Sequence, residues 1–77
     1  MPNELEQQKI EAEIEMGKRH IREGEEHIAR QEQIVGELRR DGHPTAEAES
    51  LLKVFRETLA SHKDHMELLR REEAGEL

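Results

Sequence analysis

The chain has no cysteine, no tryptophan and no tyrosine, and Phe55 is its single phenylalanine. Without cysteine there is no disulfide framework, no thiol nucleophile and no cysteine-type zinc site. A reducing compartment fits that composition, and a cytoplasmic location is expected. Without aromatic bulk, 77 residues cannot fill a wide globular core. Sandwiches, doubly wound sheets and enclosed active-site pockets are thereby excluded. Long apolar runs are also missing. The longest are pairs such as Ile34-Val35 and Leu51-Leu52, far short of the ~20 residues a membrane helix needs. The first residues, Met1-Pro2-Asn3-Glu4-Leu5-Glu6, carry neither a basic opening nor an apolar stretch, so no signal peptide is expected. No phosphate-cradling loop, Ser-His-Asp constellation or HExxH pair occurs, and the chain is expected not to be an enzyme.

What is present is charge. Charged residues make up 40% of the chain, and 19 acids against 12 bases leave a formal charge of −7. Such a chain is repelled by phosphate backbones, so nucleic acid is not an expected partner. Arg39-Arg40 and Arg70-Arg71 are too short to reverse this. A membrane surface is disfavoured as well, because the polar faces are acidic and lack a basic stripe. High charge also favours disorder. Here, however, acids and bases are interspersed and the apolar residues are periodic, which argues for a fold.

One stretch punctuates the chain: Asp41-Gly42-His43-Pro44-Thr45. Gly42 suits a left-handed helix terminus, and Pro44 cannot continue a helix. Thr45 is placed to cap the next one. The sequence therefore divides into a helix over residues 3–41, a turn over 41–45 and a helix over 45–74, all in one domain of residues 1–77. Asn3 and Glu6 make a capping pair for the first helix, and Gly75 ends the second.

In the first segment Ile14, Ile21, Ile28 and Val35 recur every seven residues, with Ile10, Gly17, Gly24, Gln31 and Leu38 between them. In the second, Ala48, Leu52, Phe55, Leu59, His62, Met66 and Leu69 alternate steps of four and three. Both are coiled-coil seams. A short connection returns the second helix antiparallel to the first. The predicted core seam is Ile14, Ile21, Ile28, Val35 and Leu38 against Leu52, Phe55, Leu59, Met66 and Leu69. Folding symmetrically about the bend brings His27 toward His62 and leaves residues 3–11 overhanging. Exposed pairs at helical spacing, Glu15 with Arg19, Glu26 with Arg30, Glu49 with Lys53 and Glu67 with Arg71, are positioned to interact. Gly17 and Gly24 lie on the seam, where close approach of a bulky residue such as Met66 or Leu69 would explain them. Gly36 lies off it.

A lone hairpin with about ten apolar seam residues is marginal, as small scaffolds are. A second apolar flank exists: Ile34 on the first helix and Leu51, Val54 and Leu68 on the second. The fold class expected is all-α: an antiparallel, coiled-coil-like two-helix hairpin that dimerises into a four-helix bundle.

Five histidines are the one excess with chemical content. His20 and His27 share a helix face, as do His62 and His65. Imidazole suits Zn²⁺, so His20, His27, His62 and His65 are candidate metal ligands. The bland alternative is that His62 packs in the seam while the others flank it. A third possibility is a pH switch through His62. No other cofactor is expected.

The strings His27-Ile28-Ala29-Arg30-Gln31 and Leu38 to His43, followed by Thr45, Ala48, Leu51-Leu52, Phe55, Leu59, His62 and His65, resemble a pattern in a group of small uncharacterised helical-hairpin proteins. These are common in rhizobia and related alphaproteobacteria. The similarity covers about residues 20–69 and holds across the turn. It implies a bacterial, cytoplasmic helical hairpin and carries no activity over. The long, Glu-rich N-terminal lead departs from the pattern. The function expected is that of a homodimeric interaction or structural module. The alternative is a metal-binding or pH-responsive bundle.

Overall fold

The computed structural model describes residues 3–76. It contains two helices, α1 (Glu4–Arg40) and α2 (Ala46–Glu73), packed side by side as an antiparallel hairpin. The rod measures 58 × 17 × 13 Å.

Each helix end follows from its local sequence. The Asn3 side-chain oxygen accepts the Glu6 N–H at 2.8 Å, and the Glu6 carboxylate accepts the Asn3 N–H at 3.4 Å. The capping pair read from the sequence is therefore formed. At the other end of α1, Gly42 takes a φ of 73°. Its N–H donates to the Arg39 carbonyl at 3.2 Å, and the His43 N–H donates to the Leu38 carbonyl at 2.9 Å. This two-bond reversal satisfies carbonyls that the helix would otherwise leave open. Arg39 and Arg40 in the last turn complement the helix dipole.

Thr45 departs from expectation. It occupies the capping position of α2, but its hydroxyl makes no capping bond. Side-chain capping needs an extended backbone, whereas Thr45 sits at φ −113° and ψ −4°. Its carbonyl still accepts the Glu49 N–H at 2.8 Å. Glu47 and Glu49 supply negative charge to the first turn instead.

The seam forms on the two apolar series. Ile14, Val35, Leu52, Leu59, Met66 and Leu69 are buried, while Ile21, Ile28, Leu38 and Phe55 are half-buried. Ile10 joins the buried set, which corrects the expectation that residues 3–11 overhang. The tightest apolar cluster comprises Ile10, Ile14, Met66 and Leu69, with Ile21 against it. It lies at the end of the rod farthest from the bend.

The register differs from symmetric folding by seven residues, about two turns. His20, not His27, faces His62. Part of the reason lies in the connector. Residues 43–45 are non-helical, and non-helical backbone covers up to about 3.3–3.6 Å per residue against 1.5 Å in a helix. Counting residues equally on both sides of the bend ignores that difference.

Both seam glycines have a steric cause. A Cβ on Gly17 would stand 2.5 Å from the Met66 methyl, and one on Gly24 would stand 3.2 Å from a Leu59 methyl. At these levels the glycines leave room for the opposing side chain. Gly36 is different, since a Cβ there would meet nothing within 4 Å. Gly36→Ala should therefore stabilise the hairpin by about 1 kcal/mol through helix propensity alone. Thermal unfolding followed by circular dichroism should show a midpoint higher by about 4–8 °C.

Candidate functional site

Helical spacing gives the hairpin two unlike sides. On one, charged residues border the seam. Arg39 meets Glu49 at 2.6 Å and Arg56 meets Glu32 at 3.6 Å, each pair spanning the two helices. Between them runs a groove of about 630 Å³, floored by Val35, Gly36, Leu52 and Ala60. Gly36 thus keeps part of a groove wall low, a position the seam pattern left unexplained.

These ion pairs are not the ones expected from spacing along each helix. Among the described residues, Glu15 pairs with Lys18 rather than Arg19, Glu49 with Arg39 rather than Lys53, and Arg71 with Glu76 rather than Glu67. Glu26 and Arg30 form no pair. All these side chains are substantially exposed, so small differences in reach decide the partner.

The other side carries the histidines and the apolar flank. On α1, Met16, His20, Glu23, His27, Arg30 and Ile34 follow one another by three or four residues and so form one ridge. On α2, Leu51, Val54, Thr58, His65 and Leu68 form the matching ridge. The two ridges meet around a cleft of about 240 Å³. His20, Glu23 and His27 line it from α1, and Phe55, Thr58 and His62 from α2, over a floor of Gly24 and Leu59.

Within this cleft the His20 and His62 rings lie 5.1 Å apart, centre to centre, tilted by 46°. His27 lies against Phe55 instead, at 5.7 Å. His65 is exposed on the outer ridge. The structure therefore brings together two of the four candidate metal ligands. Among the described residues, no three histidine, aspartate or glutamate side chains converge as metal ligands. The two-turn register shift separates the four imidazoles.

Of the flank residues, Leu51 is 44% exposed, Val54 51% and Leu68 49%. Ile34 is half-buried and lines a shallow depression with His27, Arg30, Gln31 and Phe55. Met16, at 56% exposure, extends this apolar stripe along α1; its place in the pattern was legible from its spacing to His20.

Gln31 is a seam residue whose role the sequence pattern did not supply. It is buried, and its amide donates to the Ala48 carbonyl at 2.9 Å. A polar group in an apolar seam needs such a partner. The bond also fixes α1 against the first turn of α2, as a polar seam residue can do in a coiled coil. Near the opposite end, the Gln7 amide donates to Glu73 at 3.4 Å.

Among the described residues no helix is long and apolar enough to cross a membrane. No family model matches the chain, nor does any curated protein or solved structure.

Proposed function

We propose that this chain is a protein-interaction module that acts as a homodimer, two hairpins packing into a four-helix bundle through the side bearing Ile34, Leu51, Val54 and Leu68. The observation that carries this reading is the apolar stripe on α2. Three large aliphatic side chains, each more than two-fifths exposed, follow one ridge of a helix in a chain with few aliphatics to spare. Leu51 and Val54 make one apolar patch with Ile34 nearby and Leu68 a second, both on the same side of the rod, and exposed apolar patches on one face mark a docking surface.

Surface area supports the same reading. A folded monomer of 9.0 kDa typically exposes about 4,900 Å². This hairpin exposes 6015 Å². The excess is larger than the ~800 Å² that each partner contributes to an ordinary stable interface. Among the described residues no large side chain falls below 2% exposure, so the seam alone encloses none of them completely. A second hairpin laid along the stripe covers it with like residues. The interspersed charges on the opposite side remain in water, where they keep a bundle soluble.

Sedimentation equilibrium tests the assignment. The expected mass is twice the 9.0 kDa of one chain, with a melting temperature that rises with protein concentration, as mass action requires. A mass of one chain at every concentration up to about 1 mM, weaker than any useful self-association, would overturn it.

A further inference from the structure

We propose that His20 and His62 form an inter-helix clip for a borderline divalent transition metal such as Zn²⁺ or Ni²⁺. The geometry of the pair suits two imidazoles sharing one ion. Metal–nitrogen bonds of about 2.0–2.1 Å at a tetrahedral angle place ring centres about 5 Å apart, and the two rings lie at 5.1 Å. They come from different helices, on either side of Gly24 and Leu59, so both backbones hold them. In a single hairpin both rings are half-buried, hence positioned yet open to solvent; the cleft lies on the side assigned to the dimer, so in the bundle it is reached where the second hairpin leaves it uncovered. Among the described residues, neither ring takes part in a side-chain hydrogen bond that would have to be broken.

The surroundings favour a cation. Apart from the histidines, Glu23 is the only ionisable residue lining the cleft, and no lysine or arginine lines it. His27 also borders the cleft, but its ring is engaged with Phe55. Two protein ligands leave the remaining positions to water. That arrangement differs from structural zinc sites, which use four protein ligands, and from catalytic ones, which use three. It describes a clip that ties α1 to α2, and it needs only one chain. Ligand type also sets the selectivity. Imidazole prefers zinc, nickel and copper, whereas magnesium and calcium seek oxygen.

The test is calorimetric titration of Ni²⁺ and of Zn²⁺, each as the simple salt, into the full chain, with histidine ring resonances followed by NMR. Saturable binding at one ion per chain is expected. The His20 and His62 signals should shift together, and the melting temperature should rise until EDTA reverses it. Mg²⁺ should do nothing. His20→Gln and His62→Gln should each weaken binding at least about tenfold, and the double variant should be little worse than either, because one remaining imidazole cannot chelate. His43→Gln and His65→Gln should bind as the unaltered chain does. Metal-free melting checks that every variant folds. Absence of saturable binding up to about 1 mM metal, an affinity no better than weak association, overturns the clip, as does unchanged binding in His20→Gln. Repeating the titration on Leu51→Glu/Leu68→Glu separates this proposal from self-association, since a clip within one hairpin survives loss of the dimer.

Discussion

Met66→Ala should remove about 2–5 kcal/mol of stability, the usual cost of truncating a buried methionine. A domain of this size rarely holds more than about 3–5 kcal/mol, so the variant should lose most of its cooperative unfolding transition. Met66 is 4% exposed and belongs to the cluster with Ile10, Ile14 and Leu69. The cost should fall toward the upper end of the range because of what lies opposite. Gly17 has no side chain to move into the space, and the Met66 methyl occupies the volume that glycine leaves. A cavity bounded by helix backbone cannot collapse easily. Met66→Leu keeps most of the volume and should cost less than about 1.5 kcal/mol. Urea titration followed by circular dichroism distinguishes the two. Equal midpoints for Ala and Leu would show that Met66 does not fill the Gly17 notch.

Replacing Leu51 and Leu68 together by glutamate should convert the proposed dimer to single chains. Two hairpins would bring four carboxylates to the interface, where Arg30 is the arginine on the facing ridge and cannot pair with all of them. Leaving a charge unpaired in such a place costs several kcal/mol, which corresponds to a loss of at least about 100-fold in association. Glutamate is a good helix former, so the substitutions do not themselves melt α2. Sedimentation should give one chain mass. A control sits across the rod. Ala60→Glu introduces a charge into the groove between the Arg39–Glu49 and Arg56–Glu32 pairs and should leave the dimer intact. The opposite pattern, with Ala60→Glu dissociating the dimer and the double variant not, would move the interface to that groove.

Much of the hairpin is legible in the sequence because its determinants are local. Asn3 and Glu6 are three residues apart, and their reciprocal bonds need nothing else. Gly42 and Pro44 dictate the bend wherever the rest of the chain lies. The seams are equally visible, since steps of three and four along a helix define one face. Gly17 opposite Met66 could be anticipated once a seam glycine required a bulky neighbour. What the pattern could not supply was how far α2 slides along α1. Neighbouring heptad levels bury similar residues, so a shift of one heptad costs little pattern. It nevertheless decides which histidines meet. His20 with His62 and His27 with Phe55 follow from that slide. So does burial of Ile10, which extends the seam into a stretch that symmetric folding left overhanging. The Gln31 to Ala48 bond was illegible for the same reason, because its acceptor is a backbone atom whose position depends on register. Surface ion pairs resist prediction differently, as several partners of nearly equal energy lie within reach of each long side chain.

The apolar cluster at the far end of the rod gives this hairpin a mechanical character that an ordinary one lacks. A simple hairpin parts like tongs, widest at the free tips. Here the covalent bend holds one tip and Ile10, Ile14, Met66 and Leu69 clasp the other. Between these two closures lies the stretch where Leu59 fills the space over Gly24 and the imidazoles face each other. The spacing of His20 and His62 is thereby held from both ends of the rod as well as at their own level.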